Sequence, residues 1–581
     1  MPAARGAFSL VLHAHLPYVI GHGTWPHGVD MLYEAAAESY MPLLECFETA
    51  VEQGCSPKVS LGITPVLAEQ LADGRFQRGF AEYLQMKCHY ARENTGEFGF
   101  HNRDHLKWLA EQWEAHYGRL AERFDQRYGR DLIGAFRRLQ DEGHLEIMCS
   151  AATHAYLPLL LEEQSIQAQI EQGVRTHERL FGRRPRGFWL PECAYRPAGP
   201  WRAPQQVTGE PWDERYRPGL EEHLGLRGID YFIVDTHMLG GTPEPVPVYV
   251  QWHDTLGKLW GKISRLREPV HYNGQRSPYS PYFVGHGSES HPAVAAFVRD
   301  PRTGLQVWSG EWGYPGDGWY LDFHKKHFPG GLRYWRVTDS LKDLGTKMEY
   351  EPHMAQERIG ENADHFLSLV HQTLADGARA DGLMPVLCAP FDTELFGHWW
   401  FEGPRWLDAI FERLAKDPTV RAMTCGEYLA QNSPTSAVSL PEGSWGAGGH
   451  HWVWLNEWTE WTWRRVYDAE QDMLDLVRTH WANASEELRP LIRQAVRELF
   501  LLQASDWQFL ITTWSARDYA EARLHGHHND FKRVADLARR YVRGEWIHDE
   551  EWSYLGHLQD RDRIFADIEP AWFGVVEHAA S

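Results

Sequence analysis

Cysteine is scarce in this chain of 581 residues: there are 7, scattered from Cys46 to Cys425, with no CxxC pair. That argues against a disulfide framework and suits a reducing compartment. Basic charge is also short. Lys and Arg number 58 against 80 Asp and Glu, a formal net charge of −22. A field of that sign repels nucleic acid and anionic membranes but leaves a neutral sugar indifferent. No apolar run reaches the length of a bilayer span. The short apolar stretch near the start is broken at once by His13 and His15, so it reads as a buried strand and not as a signal peptide. The expectation is a cytoplasmic protein with neither nucleic acid nor membrane as partner. An HExxH motif is absent too, and the glycines of residues 309–323 lack the spacing and the following lysine of a phosphate loop.

Tryptophan is what the chain has in abundance, 27 residues, within an aromatic share of 13%. Part of it belongs to the core. Its clustering with Gly, Asp and His suits a surface that stacks flat, partly apolar ligands. With 43% hydrophobic and 24% charged residues the chain can bury a large core. Its length fits three or four ordinary domains, or one large βα barrel with additions.

The apolar pattern alternates between strand and helix. Buried-strand runs are expected at residues 8–12, 58–63, 144–149, 187–190, 228–235 and 305–316, then in a run ending at Asp392, with a last one near Cys425. A helix is expected over residues 162–181, with Gly182 as its stop. Seven or so strands with polar residues at their ends read as an α/β fold, a βα barrel or an open parallel sheet. Residues 67–141 read as a mostly helical excursion, broken by ENTGEFGF near Gly96. After residue 436 the pattern is again helical, with a helix over residues 485–503 and a capping box at residues 515–518. The division expected is a catalytic unit of residues 1–66 and 142–435, an inserted helical unit of 67–141, and a C-terminal helical unit of 436–581.

Two carboxylates stand out. Glu192, in GFWLPECAYRP, follows a buried run and is crowded by Trp189, Pro191 and Tyr195. Its bland role is to cap a helix or pair with Arg196. Asp392, in PFDTELFGHWW, also follows a buried run and precedes His398, Trp399 and Trp400; its bland role is a helix N-cap. Two carboxylates from different strand ends in one aromatic-lined cleft are what glycosidic chemistry needs: one attacks or stabilises the sugar cation, the other protonates the leaving oxygen. His13, His15 and His154 lie at strand ends too. His13 and His15 with Asp235 could hold a divalent metal, as in a sugar deacetylase, or could bond substrate hydroxyls. Trp312 and Trp319 sit in a glycine-rich loop. Trp445, Trp452, Trp454, Trp458, Trp461 and Trp463 crowd the start of the tail, as packing or as a sugar platform.

HAHLPY, GFWLPECAY and PFDTELFGHWW together resemble the signature regions of glycoside hydrolase family 57, and the likeness runs over almost the whole chain. Within the family it is strongest to the 1,4-α-glucan branching members. The resemblance implies a distorted (β/α)7 barrel with an inserted small helical domain and a C-terminal helical domain contributing aromatics to the cleft. It implies a retaining mechanism with Glu192 as nucleophile and Asp392 as general acid/base. It places His13 and His154 at the donor sugar and Trp308 on the acceptor side, and brings Trp454 and Trp463 into the cleft. His15, Trp189, Asp235, Arg267, Trp312 and Trp399 are counted with the substrate-binding residues. Tyr249, the one tyrosine of residues 236–256, stands where a mobile loop of the branching members carries one. The first motif departs from the family's usual His-Gln-Pro, which leaves the role of His15 open.

The expected activity is cleavage of an α-1,4 bond and transfer of the chain to a 6-hydroxyl, with no cofactor and no metal. The expected partner is an α-glucan, and the expected state a monomer or weak homodimer. Rivals are an amylase or 4-α-glucanotransferase on the same carboxylates, a metal-dependent deacetylase, and a non-catalytic glucan-binding protein.

Overall fold

The computed structural model describes residues 5–205, 214–240, 276–285, 293–309, 313–339, 343–377 and 383–574. Its centre is one curled sheet. The strands are β1 (Gly6–Ala14), β2 (Val59–Ile63), β3 (Leu145–Ser150), β4 (Gly187–Trp189), β5 (Tyr231–Val234), β6 (Tyr282–Val284), β7 (Val294–Val298), β8 (Val386–Asp392), β9 (Val420–Ala422) and β10 (Ala437–Val438). They lie in the order β8-β1-β2-β3-β4-β5-β7-β6-β10, with β9 also against β1. Every pairing from β8 to β7 is parallel, and β6 joins β7 antiparallel. Arg299, just past β7, bridges Cys388 of β8 in parallel, and Asp300 N–H donates to Cys388 O at 2.9 Å. The sheet thus curls back on its first strand, a distorted seven-stranded barrel with a thin seam. β1 is buried at every position, which is why it reads as a continuous apolar run.

The principal helices are α1 (Met41–Glu52), α2 (Gly74–Phe100), α3 (Asp104–Glu122), α4 (Glu163–Phe181), α5 (Pro301–Trp308), α6 (Gly403–Lys416), α7 (Glu460–His480), α8 (Leu488–Leu502), α9 (Asp506–Thr513) and α10 (Arg517–Val542). α4 ends at Gly182, whose φ of 73° is the left-handed turn expected there. α2 and α3 pair between β2 and β3, and α7 to α10 make the tail. No helix among the described residues is long and apolar enough to cross a membrane.

Three expectations fail. The run at residues 305–316 begins as the end of helix α5; the strand is β7, a few residues earlier. Asp300 caps α5 by accepting from Thr303 N at 2.7 Å, and Pro301 opens its first turn. ENTGEFGF does not break α2. The cost of Gly96, about 1 kcal/mol, is offset by burial of Ala91 and Phe98 and by the bond from Asn94 to Tyr334 at 2.9 Å. The capping box at Ser515 is absent: α10 starts after Ala516 with no side-chain cap, and Ser515 pairs instead with Thr513 at 2.7 Å.

Candidate active site

The polar residues gather at the carboxyl ends of the parallel strands, the face where βα barrels place their chemistry. β1 delivers His13 and β8 delivers Asp392, and their Cα atoms are partners in the parallel register. Glu192 follows β4 in a tight turn. Its φ of 61° and that of Cys193 at 48° are left-handed, as is that of His154 at 57° beyond β3. Non-glycine residues rarely hold that conformation, and such outliers gather where a side chain must be aimed.

Glu192 is gripped by Trp445, whose indole Nε1 donates to Oε2 at 2.7 Å and whose backbone N–H donates to the Glu192 carbonyl at 3.1 Å. His154 Nδ1 stands 3.8 Å from Oε1. Burial pushes the Glu192 carboxyl up to about 8; the Trp445 bond opposes the shift, and the charges of Asp392 and Asp506 add to it. The Cys193 thiol next to it is raised by burial first and then by Asp235, with Glu192 and Asp392 pushing the same way and Arg299 opposing them.

The three histidines form one stack. His13 lies flat on Trp189, with ring centres 4.5 Å apart, and His15 on His154 at 3.9 Å. His13 Nε2 and His154 Nε2 are 3.1 Å apart, so one donates and the other accepts. Burial holds both well below the usual histidine range, and neighbouring imidazoles push the same way, so both stay neutral. The outer nitrogen of His154 meets Ser505 Oγ at 3.0 Å. His15 bridges Thr64 Oγ1 at 3.0 Å and the Asp506 carboxylate at 3.0 and 3.1 Å. His15 therefore ties β1 to α9, whose first turn Asp506 suits by its charge. Behind Asp392, Glu394 accepts from Tyr40 OH at 2.6 Å and from His15 N–H at 3.2 Å, and burial raises its carboxyl to about 8.

The supposed metal set does not assemble. Asp235 accepts from Thr236 N at 2.7 Å and faces His237 at 3.8 Å and Arg299 at 3.9 Å. The ligand atoms that do lie within 4.8 Å of one another here are those of His15, His154 and Asp506. Trp308 is buried, with Trp399 at 6.1 Å between ring centres. Trp454 and Trp463 are each 1% exposed. Trp454 stacks on Tyr156 at 4.5 Å and lies against Gly446, where a Cβ would come within 2.5 Å of its ring. Trp463 Nε1 donates to the Trp454 carbonyl at 2.9 Å. Tyr249, Arg267 and Trp312 lie outside the described residues.

Residues 9–441 match the description "Glycosyl hydrolase family 57". The chain belongs to that family. Residues 465–573 match the description "1,4-alpha-glucan branching enzyme, C-terminal". A curated relative, a 1,4-alpha-glucan branching enzyme of Thermococcus kodakarensis, is 39% identical over 97% of this chain and 78% of its own length. The crystal structure of a family 57 branching enzyme from Pyrococcus horikoshii superposes with a TM-score of 0.86 at 37% identity, covering 99% of this chain and 98% of that one. The α-amylase AmyC of Thermotoga maritima superposes with a TM-score of 0.77 at 28% identity, covering 99% and 100%.

In this family 57 chain Ser505 and Asp506 carry no local motif, Glu394 stands inside PFDTELFGHWW without marking itself off from its neighbours, and Trp445 reads only as one of the tail tryptophans. Ser505 and Asp506 reach the histidines because Ala155 bridges Ala504 and Ser505 N–H donates to the His154 carbonyl at 3.2 Å, which docks the tail on the loop after β3.

Proposed function

We propose that this chain is a 1,4-α-glucan branching enzyme acting through Glu192 and Asp392. The observation that carries the mechanism is the grip of Trp445 on Glu192, with the charge of Asp392 felt across the strand ends. Burial, and after it the charge of Asp392, favour the protonated Glu192 carboxyl until a glucan binds. In the productive form that proton sits on Asp392, which gives it to the departing glycosidic oxygen. The charge sits on Glu192, where the indole hydrogen bond stabilises it. Glu192 attacks the anomeric carbon, the α-1,4 bond breaks, and the donor chain is held as an ester on Oε. Asp392, now ionised, takes the proton from an incoming 6-hydroxyl, and that oxygen displaces Glu192. The stack of His13, His15 and His154 on Trp189 offers donors and acceptors to sugar hydroxyls, and the neutral His13 and His154 add no charge beside the sugar cation.

Transfer in place of hydrolysis requires that water be kept from the ester. The greater identity to branching enzymes than to the amylase, and the match of the tail to a branching-enzyme C-terminal description, support transfer to a sugar. On this reading residues 1–66 and 142–435 form the barrel, 67–141 an inserted helical unit, and 436–581 a tail that completes the site through Trp445, Ser505 and Asp506. The test is debranching: amylose treated with the enzyme, then with an isoamylase, releases new short linear chains. Amylose shortened without any such release contradicts the proposal.

A further inference from the structure

A cavity of about 510 Å³ lies away from the strand-end site, between α1, α3 and the start of α6. That volume is in the range of small-molecule sites, about 300–1,000 Å³. Its lining joins two kinds of side chain. Trp108, Trp113 and Phe401 supply aromatic surface; Trp108 has His105 stacked against it at 5.6 Å and is still 42% exposed, which leaves indole surface for a ligand. Arg119, Arg405 and Asp408 supply charge of both signs. Asp408 Oδ1 is buried and has no hydrogen-bond partner among the described residues. A buried acceptor left without a donor costs free energy, and a turn of the Asp408 side chain toward the cavity it lines brings that oxygen to a ligand hydroxyl.

The balance of charge selects the ligand. Basic and acidic groups face the same space, which penalises a strongly anionic or cationic guest. Flat rings with planar carboxylate and guanidinium groups fit a neutral polyol: ring C–H faces stack on the indole, and vicinal hydroxyls take bidentate bonds. The cavity also adjoins the chemistry. Glu38 lines it and accepts from His398 Nδ1 at 2.7 Å, and His398 lies on the segment that follows Asp392. Cavity and strand-end site therefore lie on two sides of one loop.

We propose that this cavity is a second α-1,4-glucan site, which holds a remote part of the same polymer while another part reacts. The inference rests on the glucan reading above and adds a place where the chain is anchored. Two linked contacts raise affinity for long chains more than for short ones, since the second engagement is intramolecular.

The experiment is calorimetry of the full chain with a thio-linked maltopentaose, which no carboxylate pair can cleave. The expected stoichiometry is two sites in the wild type and in Glu192→Gln, and one in Trp108→Ala. Asp408→Asn, nearly isosteric, weakens the second site about 5- to 10-fold. With amylose as substrate, Trp108→Ala raises KM several-fold with kcat within about two-fold. A single site that persists unchanged in Trp108→Ala and Asp408→Asn overturns the proposal. A single site that Trp108→Ala abolishes keeps the second pocket and overturns the reading of the strand ends.

Discussion

The Trp445 indole donates to Glu192 Oε2 at 2.7 Å, although 253 residues separate the two in sequence. The bond favours the charged carboxylate, and burial favours the neutral one. Trp445→Phe keeps the ring and removes the donor. A hydrogen bond to a charged group contributes about 1.5–3 kcal/mol, so kcat is expected to fall by roughly 10- to 100-fold. The acidic limb of the pH–rate profile should move to higher pH. An unchanged limb would separate the indole from Glu192 ionisation.

Asp506 acts with the opposite sign. Its charge helps to raise the Glu192 carboxyl, so Asp506→Asn is expected to move the same limb to lower pH. The variant also loses a charged partner of His15, and its kcat should drop about 10-fold. Opposite displacements in Trp445→Phe and Asp506→Asn are the signature of two groups acting on one carboxyl. A purely structural role for α9 would lower the rate and leave the limb in place.

Glu192→Gln has a stability consequence that depends on pH. The Glu192 carboxyl titrates near 4.5 when unperturbed and near 8 in the fold. The folded chain therefore binds the proton more tightly, and its stability falls as pH rises from about 4.5 to about 8. Gln carries no such penalty. The gain in stability of Glu192→Gln over wild type should be small below pH 4.5 and grow across the window by about 1.4 kcal/mol per unit. It should level off above pH 8. Thermal melts at pH 5 and pH 8 check this, and an equal gain at both pH values contradicts the shifted carboxyl.

Much of this was legible in the sequence because the physics is local. β1 and β8 are buried runs that carry His13 and Asp392 near their ends in one register, and Glu192 follows the short buried β4 by three residues, so all three lie at one end of the barrel. Asp300 and Pro301 also spelled a helix start, but the apolar letters after Leu305 resembled a strand, and β7 was missed. What could not be read locally is tertiary. His15 meets Asp506 at a separation of 491 residues, and nothing near Ser505 marks it as a partner of His154. The tail tryptophans show the same limit. A count of aromatics names Trp454 and Trp463 but cannot tell that Trp463 bonds the Trp454 backbone while Trp445 reaches the carboxylate.

Metal is not needed on this account. The ligand atoms of His15, His154 and Asp506 already meet Thr64, Ser505, His13 and one another. Dialysis against a strong chelator is expected to leave turnover of amylose unchanged. Stoichiometric zinc that leaves together with the activity contradicts this and favours the deacetylase reading.

The central claim is that a chain esterified to Glu192 passes to a sugar 6-hydroxyl faster than to water. Proton NMR of amylose during incubation counts α-1,6 linkages, and a reducing-end assay on the same samples counts hydrolysis. The account predicts that α-1,6 signals accumulate well ahead of reducing ends and that Glu192→Gln abolishes both. Linear fragments with rising reducing ends and no α-1,6 signal would contradict it and make the chain an amylase.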